Sequence, residues 1–186
     1  ADGEPAVITY SFRTERPESY DNPIYGNKGK TFSTYSEKEK AVVKAALNYY
    51  SSFANIKFVE TSASGALMVF GQYAIKGSIA GLAGAIYYNQ SLEQFEATDV
   101  WIDTALDYGA NGSAIHVVLH EVGHVLGLDH PFEGPYRLTG KDLASSAMSY
   151  SYTGPYNKVG VYDIMALQSI YGPAKARLGA NTFIFG

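Results

Sequence analysis

Apolar and polar positions alternate near the start of the chain and then follow helical spacing. Ile8, Tyr10 and Phe12 alternate with polar residues, which predicts a strand with one buried face. Ser36 and Glu39 have the spacing of a capping box, which predicts the start of a helix. The apolar stripe of that helix recurs at 3.6-residue spacing and contains Val42, Val43, Ala46, Leu47, Tyr50 and Phe53.

Short apolar runs after this helix predict further strands. The predicted strands lie at 56–60, 67–73, 85–88 and 100–102. Loops are predicted at 22–27 and, with many glycines, at 77–84. A long helix begins at Asn111 or Ser113 and ends near Gly127, and a final helix, Val161–Tyr171, is closed by Gly172. Strands that precede most of the helices favour an α/β or α+β sheet domain.

Composition and charge narrow the classes of protein that fit. The 186 residues suit one domain, and an apolar content of 46% supplies a sizeable core. The chain has no cysteine, which excludes disulfides, thiolate metal sites and a cysteine nucleophile. A formal net charge of −4 with scattered basic residues argues against nucleic-acid binding. No apolar run approaches the roughly 18 residues that span a bilayer, so we expect no membrane span.

One segment of the long helix carries the candidate chemistry. His120 and His124 lie four residues apart, so their imidazoles share one helix face and can bind one metal ion. Gly127 can adopt the left-handed conformation that ends a helix, which lets the chain turn and bring His130 to the same metal. Glu121 neighbours the metal-bound water in this arrangement and can act as general base. Three histidines and one open position are the ligand set of a catalytic zinc ion.

The length of the histidine motif makes a chance match improbable. A bare H-E-x-x-H can be an ordinary solvated helix face, whereas the eleven-residue pattern fixes five positions with separate roles. The helix also has an apolar stripe that leaves the histidines on another face. The stripe contains Ile115, Val118, Leu119, Val122, Val125 and Leu126.

His116 extends the histidine stripe by one helical turn. It lies about 5.4 Å further along the helix, too far for primary coordination once His130 completes the ligand set. We interpret it as a structural histidine, either bonded to a partner or half exposed. Binding of adventitious metal is the alternative.

Met148 and Tyr150 follow the histidines and have two interpretations each. A lone methionine is usually core filler, but after a three-histidine motif it is expected in a tight turn beneath the metal. Tyr150 can place its phenol oxygen on the metal or donate a hydrogen bond to an oxyanion. Its alternative is an ordinary surface tyrosine in a chain that has 16 of them.

With these residues the chain resembles the metzincins, and among them the serralysin family of bacterial secreted zinc endopeptidases. The resemblance covers nearly the whole chain and rests on the zinc motif and several flanking segments. Those segments are Pro131, Met148-Ser149-Tyr150, Asp163-Ile164, Leu167-Gln168-Ser169-Ile170-Tyr171-Gly172, Thr9-Tyr10-Ser11-Phe12 and Asp99-Val100-Trp101-Ile102.

The resemblance implies a fold and a role for each matching residue. The fold is the α/β (α+β) zincin-like fold of metzincins, a twisted, mixed five-stranded sheet with two long helices. The domain spans 1–186, with an upper subdomain at about 1–127 and a lower subdomain at about 128–186 that holds the final helix. Tyr150 is implied to be a zinc ligand in the resting enzyme that moves away to stabilise the tetrahedral intermediate. Met148 is implied to lie beneath the metal as the apolar base of the site. The implied substrate-binding edge strand contains Ala85, Ile86, Tyr87 and Tyr88.

The chain departs from the serralysin pattern in three ways. No calcium-binding glycine-rich repeats are present, although 180–186 resembles the point where they begin. We therefore expect either a naturally minimal enzyme or a trimmed domain, and calcium is possible but not indicated by the sequence. The 130–148 stretch is shorter than the family's usual loop, so substrate preference does not carry over. His116 is not a family hallmark. A matrixin is a weaker match, because its second zinc site needs histidines beyond the four between 116 and 130.

The sequence therefore predicts a zinc endopeptidase that cleaves protein or peptide substrates with zinc-activated water and Glu121. We expect one zinc ion, a monomer and an extracellular location, and a proteinaceous inhibitor is a further partner to consider. Residues 1–4 lack the features of a signal peptide, so either the mature protein begins here or export uses another signal. Two alternatives stay open: a catalytically silent peptide- or protein-binding module, and a purely structural zinc site closed by Tyr150.

Overall fold

A computed structural model describes residues 3–17, 31–109, 112–135 and 137–175. The predicted loop at 22–27, the alternative helix cap Asn111 and the 180–186 stretch lie outside these ranges. The described strands are β1 Ala6–Phe12, β2 Ile56–Glu60, β3 Met68–Tyr73, β4 Gly81–Ala83, β5 Tyr87–Asn89, β6 Gln94–Glu96 and β7 Thr98–Asp103. The described helices are α1 Glu37–Phe53, α2 Ser113–Val125, α3 Gly140–Leu143 and α4 Val161–Tyr171.

The expected five-stranded mixed sheet is confirmed. Its strand order is β2-β1-β3-β7-β4, and every neighbouring pair is parallel except β4 with β7. Because parallel strands need long crossovers, α1 connects β1 to β2 and buries its apolar stripe against the sheet. No helix in the described ranges is long and apolar enough to cross a membrane.

The local signals for the helices explain where they begin and end. Ser36 caps α1 as expected, since its hydroxyl accepts from the Glu39 amide while the Glu39 carboxylate accepts from the Ser36 amide. Gly172 ends α4 with a φ of 83°, a value that glycine adopts without a Cβ clash. The two long helices are tied together inside the core, because Tyr50 of α1 donates to the Leu119 carbonyl of α2 at 2.6 Å.

Two sequence-based assignments are wrong. The edge strand is Gly81–Ala83, which the sequence placed in a glycine-rich loop, whereas β5 pairs with β6 in a separate hairpin. The cap of α2 is Gly112 rather than Ser113, and it makes no side-chain cap bond. A backbone carbonyl replaces that cap, since the Ala114 amide donates to the Asp107 oxygen at 3.1 Å.

Candidate metal centre

The turn after α2 brings three histidines together. His120 and His124 lie on one face of α2, and Gly127 reverses the chain with a φ of 95°. This turn places the His130 Nε2 3.2 Å from the His124 Nε2 and 3.3 Å from the His120 Nε2. Among the described residues, these three histidines form the one group of three or more His, Cys, Asp or Glu side chains that could hold a metal ion.

Hydrogen bonds at the other ring nitrogens fix the tautomers of these histidines. The His120 Nδ1 lies 2.9 Å from the Ala147 carbonyl, and the His124 Nδ1 lies 2.7 Å from the Leu128 carbonyl. A carbonyl oxygen only accepts, so each Nδ1 carries the proton and donates it. The His130 Nδ1 lies 3.2 Å from the Glu133 carboxylate, which likewise accepts. All three Nε2 atoms therefore present lone pairs to one another.

Three facing lone pairs are unfavourable unless a cation lies between them. Tetrahedral ligands about 2.0–2.1 Å from a zinc ion lie about 3.3–3.4 Å from each other. The observed Nε2 separations of 3.2 and 3.3 Å match this spacing. Burial also lowers the pKa of His120, to about 4, and that of His124, so both rings are neutral and able to bind metal at neutral pH. The donor set therefore fits a zinc ion.

Glu121 lies buried on the same helix, against the edge strand. Burial raises the pKa of its carboxyl group to about 8, since the charged form loses hydration there. The carboxylate packs against Gly81 of β4, where an added Cβ would lie 2.7 Å from its Oε1. A carboxyl group with a pKa near neutrality can both accept and release a proton.

Tyr150 lies at the rim of the histidine cluster. Its hydroxyl is 3.2 Å from the His130 Nε2, and its ring stacks on that of His120 with centroids 6.1 Å apart. The side chain is 77% exposed, so it can leave this position without disturbing the core. The phenol oxygen therefore lies within ligand spacing of the His130 Nε2.

Met148 lies beneath α2, and a buried carboxylate holds its loop. Met148 is 1% exposed, and a Cβ at Gly123 would overlap its sulfur, so the helix and the loop are in close contact. Asp163 of α4 accepts from the Ser146 hydroxyl and the Ala147 amide, both at 2.6 Å, and from the Gly160 amide at 2.8 Å. These bonds fix the carbonyl that orients His120.

A cavity of about 780 Å³ opens beside the histidines. Its lining includes the whole of β4, so the residues predicted for substrate binding, Ala85 to Tyr88, are not the ones at its edge. His116 also lines the cavity and is half-buried, as one of its two structural interpretations expected. Sequence reasoning missed Gly81 and Asp163 as parts of the site. In the sequence, Asp163 contributes only to the family resemblance, although its place in the first turn of α4 is a usable signal.

The fold and the histidine site together define a metzincin, a serralysin-like catalytic domain. The family model for matrixins, peptidase family M10, matches residues 8–172. The chain belongs to this family. The family implies zinc as the metal, and the group of three histidines fits that ion.

Individual relatives agree with the family model. The chain is 27% identical to serralysin of Photorhabdus sp. (strain Az29) over 199 residues, which cover 89% of this chain and 38% of the relative. It is 29% identical to metallopeptidase AprA of Pseudomonas marginalis over 218 residues, or 96% and 43%. It is 27% identical to matrix metalloproteinase-20 of Homo sapiens over 194 residues, or 97% and 38%. The chain thus spans about two fifths of these relatives, and it matches serralysins and a matrixin alike.

Proposed function

We propose that this chain is a zinc endopeptidase domain that hydrolyses peptide bonds with Glu121 as general base. The convergence of three Nε2 lone pairs beside a buried carboxylate carries this proposal. Bound zinc would lower the pKa of a coordinated water and polarise the scissile carbonyl. His120, His124 and His130 would hold the ion, and the hydrogen bonds at their Nδ1 atoms keep the three Nε2 atoms facing one another.

Glu121 moves the proton in the proposed reaction. Its carboxylate takes a proton from the attacking water and then delivers it to the leaving amine. Burial keeps this carboxyl group away from bulk water, and a neighbouring cation favours its charged form, so it can alternate between the two states. The exposed Tyr150 side chain can leave its contact with the His130 Nε2 and donate a hydrogen bond to the developing oxyanion.

The edge strand supplies the proposed substrate surface. Among the strands that the structure describes, β4 pairs only with β7, and it lines the cavity beside the histidines. An extended peptide can add to such an edge through main-chain hydrogen bonds, which places its backbone across the metal site. This role replaces the one that the sequence assigned to Ala85 to Tyr88.

The experiment compares wild-type protein with Glu121→Gln, which keeps the side-chain size and removes the base. We expect zinc-dependent casein cleavage by the wild type that a chelator abolishes. Loss of general base catalysis typically removes 10²–10⁴-fold of the rate, and zinc content should stay at wild-type level. Glu60→Gln, on β2 and outside the cavity lining, is the matched control and should cleave normally. Wild-type cleavage by Glu121→Gln would overturn the assignment.

A catalytically silent binding module is the second candidate, and the same preparation tests it. Such a module would bind casein peptides with zinc present and leave them intact, in wild type and Glu121→Gln alike. A structural zinc site closed by Tyr150 would give neither cleavage nor peptide binding. An extracellular location, a monomeric state and an inhibitor partner are further proposals that rest on the relationship to serralysins.

A further inference from the structure

One face of α2 continues past the metal ligands into the cavity. Ser113, His116, Val117 and His120 follow one another at helical spacing, and all four line the cavity. His116 is not part of the metal cluster. The cavity wall therefore includes one imidazole, that of His116, which the proposed chemistry does not use.

Two tyrosines hold the His116 ring. The Tyr152 ring is parallel to it, with an interplanar angle of 2° and centroids 5.4 Å apart. The Tyr156 ring also packs on it, with centroids 5.3 Å apart and an angle of 33°. The Tyr152 hydroxyl is itself tied to the Lys158 carbonyl at 3.2 Å. Ring contacts of this kind fix the imidazole, so its edge has a defined direction.

The tautomer of His116 follows from its surroundings. Its Nδ1 is buried and has no hydrogen-bond partner in the described part of the chain. A proton on that atom would be a buried N–H donor without an acceptor, and such orphaned donors are rarer in proteins than unsatisfied acceptors. Burial lowers the pKa of the ring, so it is neutral near pH 7. The neutral ring therefore carries its proton on Nε2, and this N–H is available to whatever fills the cavity.

We propose that His116 is a specificity-determining residue, and that its Nε2–H selects a substrate side chain with a neutral hydrogen-bond acceptor at its tip. The aromatic walls suit a flat or aliphatic stem, so the preferred side chains are tyrosine and glutamine over phenylalanine and leucine. The described lining contains no lysine or arginine to balance an acidic side chain, which favours a neutral tip. This inference rests on the proposed function, because the cavity adjoins the proposed cleavage site.

The size of the preference follows from a single neutral hydrogen bond. Such a bond contributes about two- to twelve-fold in an equilibrium or rate ratio. Tyrosine and phenylalanine differ by one hydroxyl, so their ratio isolates this bond from the packing of the ring. Replacing His116 with phenylalanine keeps an aromatic ring between the two tyrosines and removes the N–H.

The test digests a peptide library with zinc-loaded protein and identifies the residues that flank each cut by mass spectrometry. Wild-type protein should prefer tyrosine to phenylalanine at one flanking position by about two- to twelve-fold. The ratio should approach one in His116→Phe. Tyr162→Phe, which removes a tyrosine hydroxyl outside the cavity, should keep the wild-type ratio. Equal ratios in wild type and His116→Phe would overturn the proposal, and so would a wild type without preference.

A binding measurement separates this proposal from the proposed function. Glu121→Gln protein with zinc bound is titrated with matched peptides that contain tyrosine or phenylalanine at the selected position. Tighter binding of the tyrosine peptide, lost on adding His116→Phe, supports the role of His116 even if wild-type protein cleaves nothing. Equal binding of the two peptides contradicts it. Absence of cleavage by wild-type protein would overturn the proposed function alone.

Discussion

Gly81 is the residue whose substitution tests the catalytic geometry most directly. It lies on β4, and a Cβ there would be 2.7 Å from both the Cγ and the Oε1 of Glu121, and 2.9 Å from its Cδ. Carbon atoms in ordinary contact are about 3.5–4.0 Å apart. Gly81→Ala must therefore push the Glu121 side chain away by about 1 Å, while the three nearest atoms include none from a histidine.

The displacement sets the expected loss of activity. A misplacement of about 1 Å in a reacting group can cost about 10²-fold in rate. The clash involves a side-chain end rather than backbone, so Glu121 can rotate and the fold should lose at most about 1–3 kcal/mol. We therefore expect kcat to fall about 100-fold in Gly81→Ala, with zinc still bound.

Steady-state hydrolysis of a fluorogenic peptide measures kcat and KM, and metal analysis gives zinc per chain. Gly84→Ala is the matched control, because it is in the same segment and its Cβ would meet only the Thr98 hydroxyl, at 3.3 Å. This control should retain wild-type kcat. Normal turnover by Gly81→Ala would show that the observed Glu121 position is not the catalytic one. Loss of zinc would show that the substitution acts through the histidines instead.

Two further predictions concern stability. Asp163→Ala removes a carboxylate that accepts from one hydroxyl and two backbone amides, so the free energy of unfolding, measured in urea, should fall by about 2–4 kcal/mol. Asp142→Ala, at an exposed position, is the control and should change it by less than about 0.5 kcal/mol. Equal losses in the two variants would contradict the role of Asp163. In zinc-free protein, burial lowers the pKa of His120 from 6.5 to about 4, so the unfolded chain binds more protons and stability falls as the pH falls through this window. By pH 4 this difference in proton binding lowers the free energy of unfolding by about 3 kcal/mol. In urea unfolding, zinc-free His120→Gln should therefore lose about 3 kcal/mol less than the zinc-free wild type on acidification. An identical pH dependence of the two proteins would contradict the shifted pKa of His120.

The elements with their own local signals were predictable from the sequence. α1 has a capping box and begins where it predicts, and α4 has a closing glycine and begins and ends as expected. The turn at Gly127 was also predictable, because a helix that must reverse toward His130 needs a residue that tolerates positive φ. These features depend on neighbours within a few residues.

Features that depend on distant contacts were not predictable. β4 has the sequence Gly-Leu-Ala, which has no strand propensity, and it is a strand because it pairs with β7. The tyrosines at 87 and 88 have that propensity but pair with β6 instead. The role of Asp163 likewise arises from contact with a loop about 16 residues earlier in the chain. Tertiary pairing decided each case.

The acceptors of the His120 and His124 Nδ1 protons are backbone carbonyls rather than side chains. A point substitution cannot delete a carbonyl oxygen. The orientation of the two imidazole rings therefore does not depend on which side chains residues 128 and 147 carry. The ligand orientation is lost only when the main chain moves. Mutations that weaken metal affinity should therefore concentrate at remote side chains that anchor these loops, with Asp163 foremost among them, and a deep mutational scan would find them on α4 as well as around the metal.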